Sequence, residues 1–274
     1  MLSLRTAVRN GSERPPKKSH VSSLRSALLV LTVIRKRYDD GMKVQAGQTL
    51  LLDADDTLWE NNIYFERAIA AFISFLDHKS HDAQQVRAVL NHKERDSIAA
   101  MGYGLRSFTH SLICCYESLS ESKATPLVEE RIRSFAQTIA DQEIELMPGV
   151  GELLPQLAER HRLILMTKGF APEQAGKLER SGLTQYFSAV EIVPEKDVPA
   201  YRTVSTRHQC PSGQTWMIGN SPKSDINPAL AAGLHAVFLV HKDTWVLEHA
   251  ELSAPPAGQH LLELDSFWGL AEHF

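Results

Sequence analysis

The sequence predicts an α/β protein: a parallel β-sheet with helices on both faces and an α-helical domain inserted after the first strand. Three observations predict this fold. Short apolar segments alternate with helical patterns from Gln48 onward, most of these segments are nearly continuous in apolar residues, and a long segment after the first has no strand pattern. Alternating strands and helices are typical of a parallel sheet whose strands are buried on both faces.

The core elements follow from the same patterns. The predicted strands are 49–54, 162–167, 189–193, 215–219 and 235–240. The predicted core helices are 150–161, 172–181 and 224–232, the last two ending at Gly182 and Gly233 as C-caps. We therefore expect residues 42–60 and 146–274 to form a Rossmann-like core with five or more strands.

The inserted segment, residues 61–145, is expected to form a helical cap. Its segments 63–78, 104–119 and 127–140 repeat apolar residues at intervals of three and four, which is typical of helices. Ligands of open α/β sheets bind outside the carboxyl ends of the strands. A helical module inserted directly after the first strand would cover that crevice.

The composition is that of a water-soluble globular protein. The chain has 274 residues, 43% of them hydrophobic and 23% charged, and a net charge of −4, which predicts no general attraction to nucleic acid or membrane lipid. Its three cysteines fit neither a disulfide framework nor a zinc site and favour a reducing, cytoplasmic compartment. The sequence does not predict an oligomeric state.

The segment 1–41 differs from the rest in charge, with nine Lys or Arg residues against three Asp or Glu. Its apolar run, residues 27–34, is much shorter than the roughly 20 residues that span a bilayer. Two interpretations stay open: a disordered basic tail, or a gene-model artefact with translation starting at Met42.

Three carboxylates, Asp53, Asp55 and Asp56, crowd together after the first strand. Like charges this close raise one another's pKa unless a cation lies between them. The other predicted strand ends and the loops after them carry groups of complementary chemistry. These are Thr167-Lys168-Gly169 after the second strand, Lys196 after the third, and Asn220 and Asp225 after the fourth. Such a set suits phosphoryl transfer with Mg²⁺, which prefers hard oxygen ligands and is shared with substrate phosphate.

Four segments resemble, in order, the four motifs of the haloacid dehalogenase-like hydrolase superfamily. They are LLDADDTLW, LILMTKG, EKDVPAYR and MIGNSPKSDINPALAAG, and the resemblance spans roughly residues 48–245. The position of the insertion is similar to that of members whose helical cap follows the first strand. The resemblance implies a Mg²⁺-dependent phosphatase acting on a small phosphorylated metabolite, with no nucleic-acid or membrane partner.

The resemblance also implies a role for each motif residue. Asp53 would attack phosphorus and form an aspartyl phosphate, and Asp55 would act as general acid and base. Thr167 and Lys196 would hold the phosphoryl oxygens. Mg²⁺ would be bound by Asp53, the backbone carbonyl of Asp55 and a fourth-motif side chain.

Two departures from the family pattern leave alternatives open. Asn220 stands where an Asp is common, so either Asn220 or Asp225 is the direct metal ligand. Lys168 follows Thr167 where a small polar residue is common, and it competes with Lys196 for the phosphate role. We favour Lys196 because it occupies the third-motif position. Asp56 is expected to be solvated or to cap a helix.

The resemblance also implies that the cap and the turn below it contain the residues that select the substrate. Besides Lys168 and Gly169, the expected substrate-binding residues are Trp59, Asn61, Tyr64, Tyr103 and Arg106. Arg106 either pairs with a second anionic group of the substrate or is a surface arginine of the cap. The sequence does not identify the substrate.

Other functions remain as alternatives. Haloacid dehalogenases also use an aspartate nucleophile but lack the second Asp, so Asp55 favours phosphate esters. Phosphonate hydrolysis, phosphosugar mutase activity and a catalytically silent binding protein are further possibilities. A signalling receiver domain would place its phosphoacceptor Asp on the third strand, which Asp53 on the first strand contradicts.

Overall fold

The computed structural model describes residues 41–76 and 81–274. In this part of the chain, six parallel strands form one sheet in the order β3-β2-β1-β4-β5-β6. The strands are β1 (Thr49–Leu52), β2 (Arg162–Lys168), β3 (Ala189–Val193), β4 (Thr215–Gly219), β5 (His235–Leu239) and β6 (Leu261–Leu264). The predicted α/β fold with a Rossmann-like parallel sheet is confirmed, and β6 is a strand beyond the five located in the sequence.

The helices fall into two groups, those that form the cap and those that belong to the core with the sheet. The cap helices are α1 (Asn62–Leu76), α2 (Ala83–Met101), α3 (Leu105–Ser120) and α4 (Pro126–Ala140), and the core helices are α5 (Val150–Arg160), α6 (Ala171–Ser181), α7 (Val198–Arg207) and α8 (Asn227–Ala231). The prediction of one continuous helix over 224–232 is wrong. A π-helical turn, Pro222–Ile226, precedes α8, and Asn227 N–H donates to the Pro222 carbonyl. Because Pro228 has no N–H, the regular ladder restarts there.

The alternation of side chains along β1 explains how the sheet is buried. Leu50 and Leu52 pack on one face with α5, and Leu51 packs on the other face with Met217. All three leucines are fully buried. Successive side chains of a strand point to opposite faces, so a continuous apolar strand stabilises both layers.

Helices α1 to α4 form a separate cluster with its own apolar interior, in which α1 packs on α4 and α2 on α3. Two linkers join this cap to the sheet, and they pair with each other in an antiparallel arrangement. Glu60 N–H donates to the Glu145 carbonyl at 2.9 Å, and Met147 N–H donates to the Leu58 carbonyl at 2.9 Å. The cap therefore rests on a hydrogen-bonded double linker.

Helix α2 is the element of the cap that the sequence patterns did not locate. Its sequence is mainly polar, and its buried positions are Val86, Leu90, Glu94 and Ser97. A capping box at Asp82 and Gln85 marks its start. Two of the four buried positions are polar, which hides the apolar stripe by which such helices are recognised.

The prediction for residues 1–41 falls, apart from Gly41, outside the described residues, as do positions 77–78 of the first predicted cap helix. Within the described ranges, no helix combines the length and apolar character needed to cross a membrane.

Candidate active site

The site lies where the strand order reverses, because β1 pairs with β2 on one side and with β4 on the other. This is the point at which open α/β sheets bind their ligands. A cavity between these strand ends and the cap, here called the active-site cavity, brings together every predicted catalytic and metal-binding residue. Its lining includes Asp53, Asp55, Thr167, Lys196, Asn220 and Asp225.

Lys196 is the central cation of the site. Its Nζ lies 2.5 Å from Asp53 Oδ1 and 2.5 Å from Asp225 Oδ1. The lysine is only 4% exposed. Burial lowers the pKa of Lys196, but the charges of Asp225 and Asp53 raise it more strongly, so that the net shift is upward. The ammonium therefore stays charged.

The two carboxylates on Lys196 differ in their surroundings. Burial and the Asp225 charge raise the pKa of Asp53 to about 7, although Lys196 lowers it in part. Asp225 is fully buried, and its Oδ2 accepts a hydrogen bond from Ser221 N–H at 2.9 Å. A Cβ at Gly219 would overlap the Asp225 carboxylate, so this close approach requires glycine.

Asp55 is held from three sides. Its Oδ1 accepts hydrogen bonds from Trp59 Nε1 at 2.8 Å and Lys177 Nζ at 2.9 Å, and its Oδ2 accepts one from Gln174 Nε2 at 3.0 Å. Burial raises the pKa of Asp55, but Lys177 and these hydrogen bonds outweigh burial and leave the pKa below its usual range. The carboxylate is thus fixed in orientation and ionised.

Sequence reasoning missed Gln174 and Lys177. They lie three positions apart on α6, the helix that follows the second motif, and so share one face of it. This spacing directly after a motif strand was the available signal.

At the end of β2, Thr167 provides a hydroxyl group and Gly169 provides a backbone segment without a side chain. Thr167 Oγ1 accepts a hydrogen bond from Gln174 Nε2 at 2.7 Å, which leaves the hydroxyl proton of Thr167 to be donated to an anion. Gly169 has φ 146° and lines the active-site cavity. A Cβ at Gly169 would lie 3.0 Å from Gln174 Cγ and would disturb the residue that orients Thr167.

The oxygen donors around Asp53 fit a hard divalent cation. Thr57 Oγ1 lies 3.3 Å from Asp53 Oδ2 and 3.4 Å from Asn220 Oδ1, so these two oxygens face one hydroxyl. Asn220 Nδ2 donates to Thr244 Oγ1 at 3.3 Å, and this bond leaves the amide oxygen facing Thr57. The Asp225 oxygens are already engaged by Lys196 and Ser221. Carboxylate and amide oxygens suit Mg²⁺, and the geometry favours Asn220 over Asp225 as the direct ligand.

Lys168 has a different set of partners from Lys196. Its Nζ lies 2.7 Å from Glu248 Oε1, 2.8 Å from Ser224 Oγ and 3.1 Å from Tyr103 Oη. Burial lowers the pKa of Lys168, but Glu248, Tyr103 and Glu195 raise it to a value above that of a free lysine. Because Tyr103 belongs to the cap, Lys168 bonds the core to the cap.

The residues predicted to bind substrate divide into two groups. Asn61, Tyr103, Lys168 and Gly169 line the active-site cavity. Trp59, Tyr64 and Arg106 are not part of this lining. Trp59 is 1% exposed and packs in the core below Asp55, Tyr64 Oη donates to Glu145 Oε2 at 3.2 Å, and Arg106 is exposed on α3.

Asp56 takes the position of a helix cap. Its Oδ1 accepts hydrogen bonds from Asn61 N–H and Asn62 N–H, both at 2.9 Å, at the start of α1. Burial raises the pKa of Asp56 to about 7. Asp56 also forms a second candidate cation group with Glu60 and His241, since their ligand atoms lie within 4.8 Å of one another.

The cap half of the active-site cavity contains residues that sequence reasoning did not single out. Its lining includes Phe65, Ile69, Ile98 and Phe108 and the polar residues Glu94, Ser107 and Ser111. Glu94 lies on α2, the helix that the sequence patterns did not locate. A carboxylate at a buried position of that helix was the only available signal.

The chain matches the family of haloacid dehalogenase-like hydrolases over residues 50–239 and belongs to this family. It is therefore a hydrolase of that family. No curated protein sequence matches it.

Solved structures show the same fold. A haloacid dehalogenase-like family hydrolase from Xanthomonas campestris is 29% identical with a TM-score of 0.65, and the match covers 79% of this chain and 91% of that chain. L-2-haloacid dehalogenase from Xanthobacter autotrophicus is 13% identical with a TM-score of 0.56, covering 82% and 96%. A predicted phosphoglycolate phosphatase from Haemophilus somnus is 16% identical with a TM-score of 0.55, covering 82% and 97%.

Proposed function

We propose that this hydrolase is a Mg²⁺-dependent phosphatase that cleaves a small-molecule phosphate monoester through an aspartyl phosphate on Asp53. The observation that carries the proposal is the pair of carboxylates at one strand end. Asp53 is held by Lys196 at 2.5 Å, and Asp55 is held separately by Trp59, Gln174 and Lys177. These separate surroundings support different roles for the two carboxylates, attack by Asp53 and proton transfer by Asp55.

The two steps assign balanced roles to these side chains. An Asp53 oxygen attacks phosphorus, the bond from phosphorus to the leaving oxygen breaks, and Asp55 gives that oxygen a proton. Asp55 then takes a proton from the water that cleaves the aspartyl phosphate. Its pKa is low in the free site, and the negative charge of a bound phosphate dianion would raise it toward the acid form.

Lys196, Thr167 and the metal would share the phosphate charge. Thr167 has a hydroxyl proton to donate, since its oxygen already accepts from Gln174. Asp53, the backbone carbonyl of Asp55 and the side chain of Asn220 would hold the Mg²⁺. When bound, Mg²⁺ neutralises charge on the phosphoryl oxygens and lets a dianion approach the acidic site.

Dehalogenation is the competing chemistry within the family. It would require an aspartate nucleophile with no acid–base partner beside it. The presence of Asp55 favours phosphate esters as substrates, because a leaving alkoxide needs a proton whereas a halide ion does not.

The test compares both chemistries on the same preparation. The purified protein is assayed with 4-nitrophenyl phosphate, a panel of phosphorylated metabolites and 2-chloropropionate, with Mg²⁺ and after chelation. We expect phosphate release that needs Mg²⁺ and falls about 10³-fold or more in Asp53→Asn, as for the loss of a covalent nucleophile. The matched control is Asp96→Asn, an exposed carboxylate of the cap.

Two results would contradict the proposal: chloride release without phosphate release, or phosphate release that Asp53→Asn leaves unchanged. Beryllium fluoride, an aspartyl phosphate analogue, should also stabilise the wild-type protein in a thermal unfolding assay when Mg²⁺ is present. Asp53→Asn should lose this stabilisation.

A further inference from the structure

The cap half of the active-site cavity contains two buried polar atoms without a partner. Glu94 is 5% exposed and Ser107 is 2% exposed, and both line the same cavity as Asp53. Glu94 Oε2 and Ser107 Oγ have no hydrogen-bond partner within the described part of the chain. A buried polar group left unpaired costs about 1–3 kcal/mol, and a charged one costs more. A bound molecule could provide the missing partner.

The surroundings of Glu94 show why the protein itself does not neutralise it. Arg87 on the same helix, whose charge lowers the pKa of Glu94, is held by both carboxylate oxygens of Glu66 at 2.6 and 2.7 Å. Arg95, which also acts on the Glu94 charge, is exposed. Burial raises the pKa of Glu94 to about 7. The Glu94 Oε2 atom, which has no partner within the described residues, is therefore left for a ligand to bind.

Four apolar side chains of the cap line the same cavity as Glu94 and Asp53. Phe65 and Phe108 meet edge to face with ring centroids 4.9 Å apart, and Ile69 and Ile98 complete the wall. A ligand that reaches Glu94 from Asp53 must therefore carry an apolar segment between its two polar ends. The aromatic faces also favour a cation at the far end.

Among the described residues, the lining of the same cavity has no unpaired lysine that could bind a second anionic group of the substrate. Its lining holds three lysines, and each is already paired with a carboxylate: Lys168 with Glu248 at 2.7 Å, Lys177 with Asp55 at 2.9 Å and Lys196 with Asp53 and Asp225 at 2.5 Å. The substrate phosphate uses the Lys196 end. A carboxylate at the other end of the substrate would face Glu94.

We propose that Glu94 and Ser107 recognise a hydrogen-bond donor, an amine or a hydroxyl group, at the end of an apolar segment of the substrate remote from its phosphate. This inference rests on the proposed phosphatase function and specifies its substrate class. It excludes substrates whose remote end is anionic, such as phosphoglycolate. Glu94 supplies the charge or acceptor, and Ser107 supplies the second hydrogen bond.

The experiment varies the remote group at constant chain length. Alkyl phosphates of two to six carbons are compared with the same compounds ending in an amine, a hydroxyl or a carboxylate, and kcat/KM is measured for each. We expect the best amine or hydroxyl compound to exceed its alkyl counterpart at least tenfold and the carboxylate compound to fall below it. Equal values for all four end groups, or a preference for the carboxylate, would overturn the inference.

Three variants test whether the recognised group of the substrate is an amine or a hydroxyl. Glu94→Gln removes the charge but keeps an acceptor, so it should lose an amine preference and keep a hydroxyl preference. Glu94→Leu should bring both ratios to within about twofold of the alkyl compound, and Ser107→Ala should reduce them in part. Asp96→Asn on the same helix should leave the ratios unchanged. Ratios that survive in Glu94→Leu would show that another residue makes the selection.

A binding measurement tests the site without turnover. Butylamine, butanol and butyrate are added to the wild-type protein and to Glu94→Leu in thermal unfolding assays. We expect amine or alcohol to raise the wild-type Tm and not the Tm of the variant, and butyrate to have no effect. Stabilisation by butyrate, or equal stabilisation of both proteins by the amine and the alcohol, would contradict recognition by Glu94. If the protein hydrolyses no phosphate ester, the proposed function is wrong. The thermal unfolding comparison of wild type and Glu94→Leu still decides whether Glu94 binds the amine or alcohol.

Discussion

Lys196 Nζ lies at the same distance, 2.5 Å, from Asp53 Oδ1 and from Asp225 Oδ1, so one buried ammonium holds two buried carboxylates. Taking charges out of water is costly, and removing the Lys196 cation would leave the two buried carboxyl groups without their ion-pair partner. Asp53 is fixed by Lys196 and by the backbone of β4, since Asp53 N–H donates a 3.0 Å hydrogen bond to the Ile218 carbonyl.

The first prediction concerns this triad. Lys196→Met should lower the free energy of unfolding by about 3–5 kcal/mol, because it leaves two buried carboxylates without their cation. Urea unfolding at neutral pH checks it. Lys223→Met, which removes an exposed lysine of the same region, should change stability by less than about 1 kcal/mol. A similar small change in Lys196→Met would mean that the triad does not carry charge in the native state.

The second prediction concerns the metal ligand. Asn220→Asp should lower the Mg²⁺ concentration for half-maximal activity about tenfold, because a carboxylate binds the cation more strongly than an amide. Asn220→Ala should raise that concentration. Asn227→Asp is the matched control, since this nearby amide donates to the Glu251 carbonyl. An unchanged Mg²⁺ dependence in both Asn220 variants would return the role to Asp225.

The third prediction concerns the orientation of Asp55. Lys177 Nζ bonds to both Asp55 Oδ1 and Asn61 Oδ1, at 2.9 and 2.8 Å. Lys177→Met should lower kcat about 10- to 100-fold with a smaller effect on KM, because proton transfer depends on the position of the carboxylate. Lys177→Arg should restore part of the rate. Arg180→Met, an exposed change on the same helix, should have no effect, and a loss mainly in KM would contradict the positioning role.

The fourth prediction concerns Asp56, whose side chain caps α1 and whose backbone has φ 61°. Asp56→Ala should destabilise the protein by about 2–3 kcal/mol, since it loses the cap and strains a left-handed residue. Asp56→Gly should cost about 1 kcal/mol less because glycine tolerates this φ, and Asp56→Asn should cost least. Chemical unfolding of the three variants gives the order. An equal loss of stability in Asp56→Ala and Asp56→Gly would show that the left-handed φ of this residue does not affect stability.

The fifth prediction follows from the raised pKa of Glu94, about 7 in the native protein against 4.5 for the free group. Between these values the native state binds more protons than the unfolded state, so stability falls as pH rises through this window. Glu94 should account for a loss of up to about 3 kcal/mol between pH 4.5 and pH 7.5. Unfolding of Glu94→Gln over the same range should lack this loss, whereas Asp96→Asn should behave like the wild type. If the free energy of unfolding changed with pH in the same way in Glu94→Gln and in the wild type, the raised pKa of Glu94 would be contradicted.

The sheet and the motif residues could be predicted because their signals are local. β1 and β4 are continuous apolar runs, and Asp53 and Asn220 follow them directly, so strand prediction also placed the side chains at one edge. β6 escaped prediction because four residues, LLEL, on the edge of the sheet give too short a pattern.

The cap side of the site could not be predicted because its signals depend on tertiary packing. Trp59 illustrates this, since an aromatic residue beside the motif looked suited to the substrate but packs in the core and bonds to Asp55. Glu94 illustrates the opposite error. In the sequence it is one charged residue in a polar helix, and only the packing of α2 on α3 makes it a buried residue of the cavity.

The short run of chain from Asp53 to Asn62 joins two carboxylates of the active-site cavity, Asp53 and Asp55, to the first turn of α1. Asp56 clamps the middle of this run to the helix end through its two N–H contacts. The first turn of the first cap helix is therefore tied by two hydrogen bonds to the residue that directly follows Asp55, and this contact belongs to the same short peptide as Asp53.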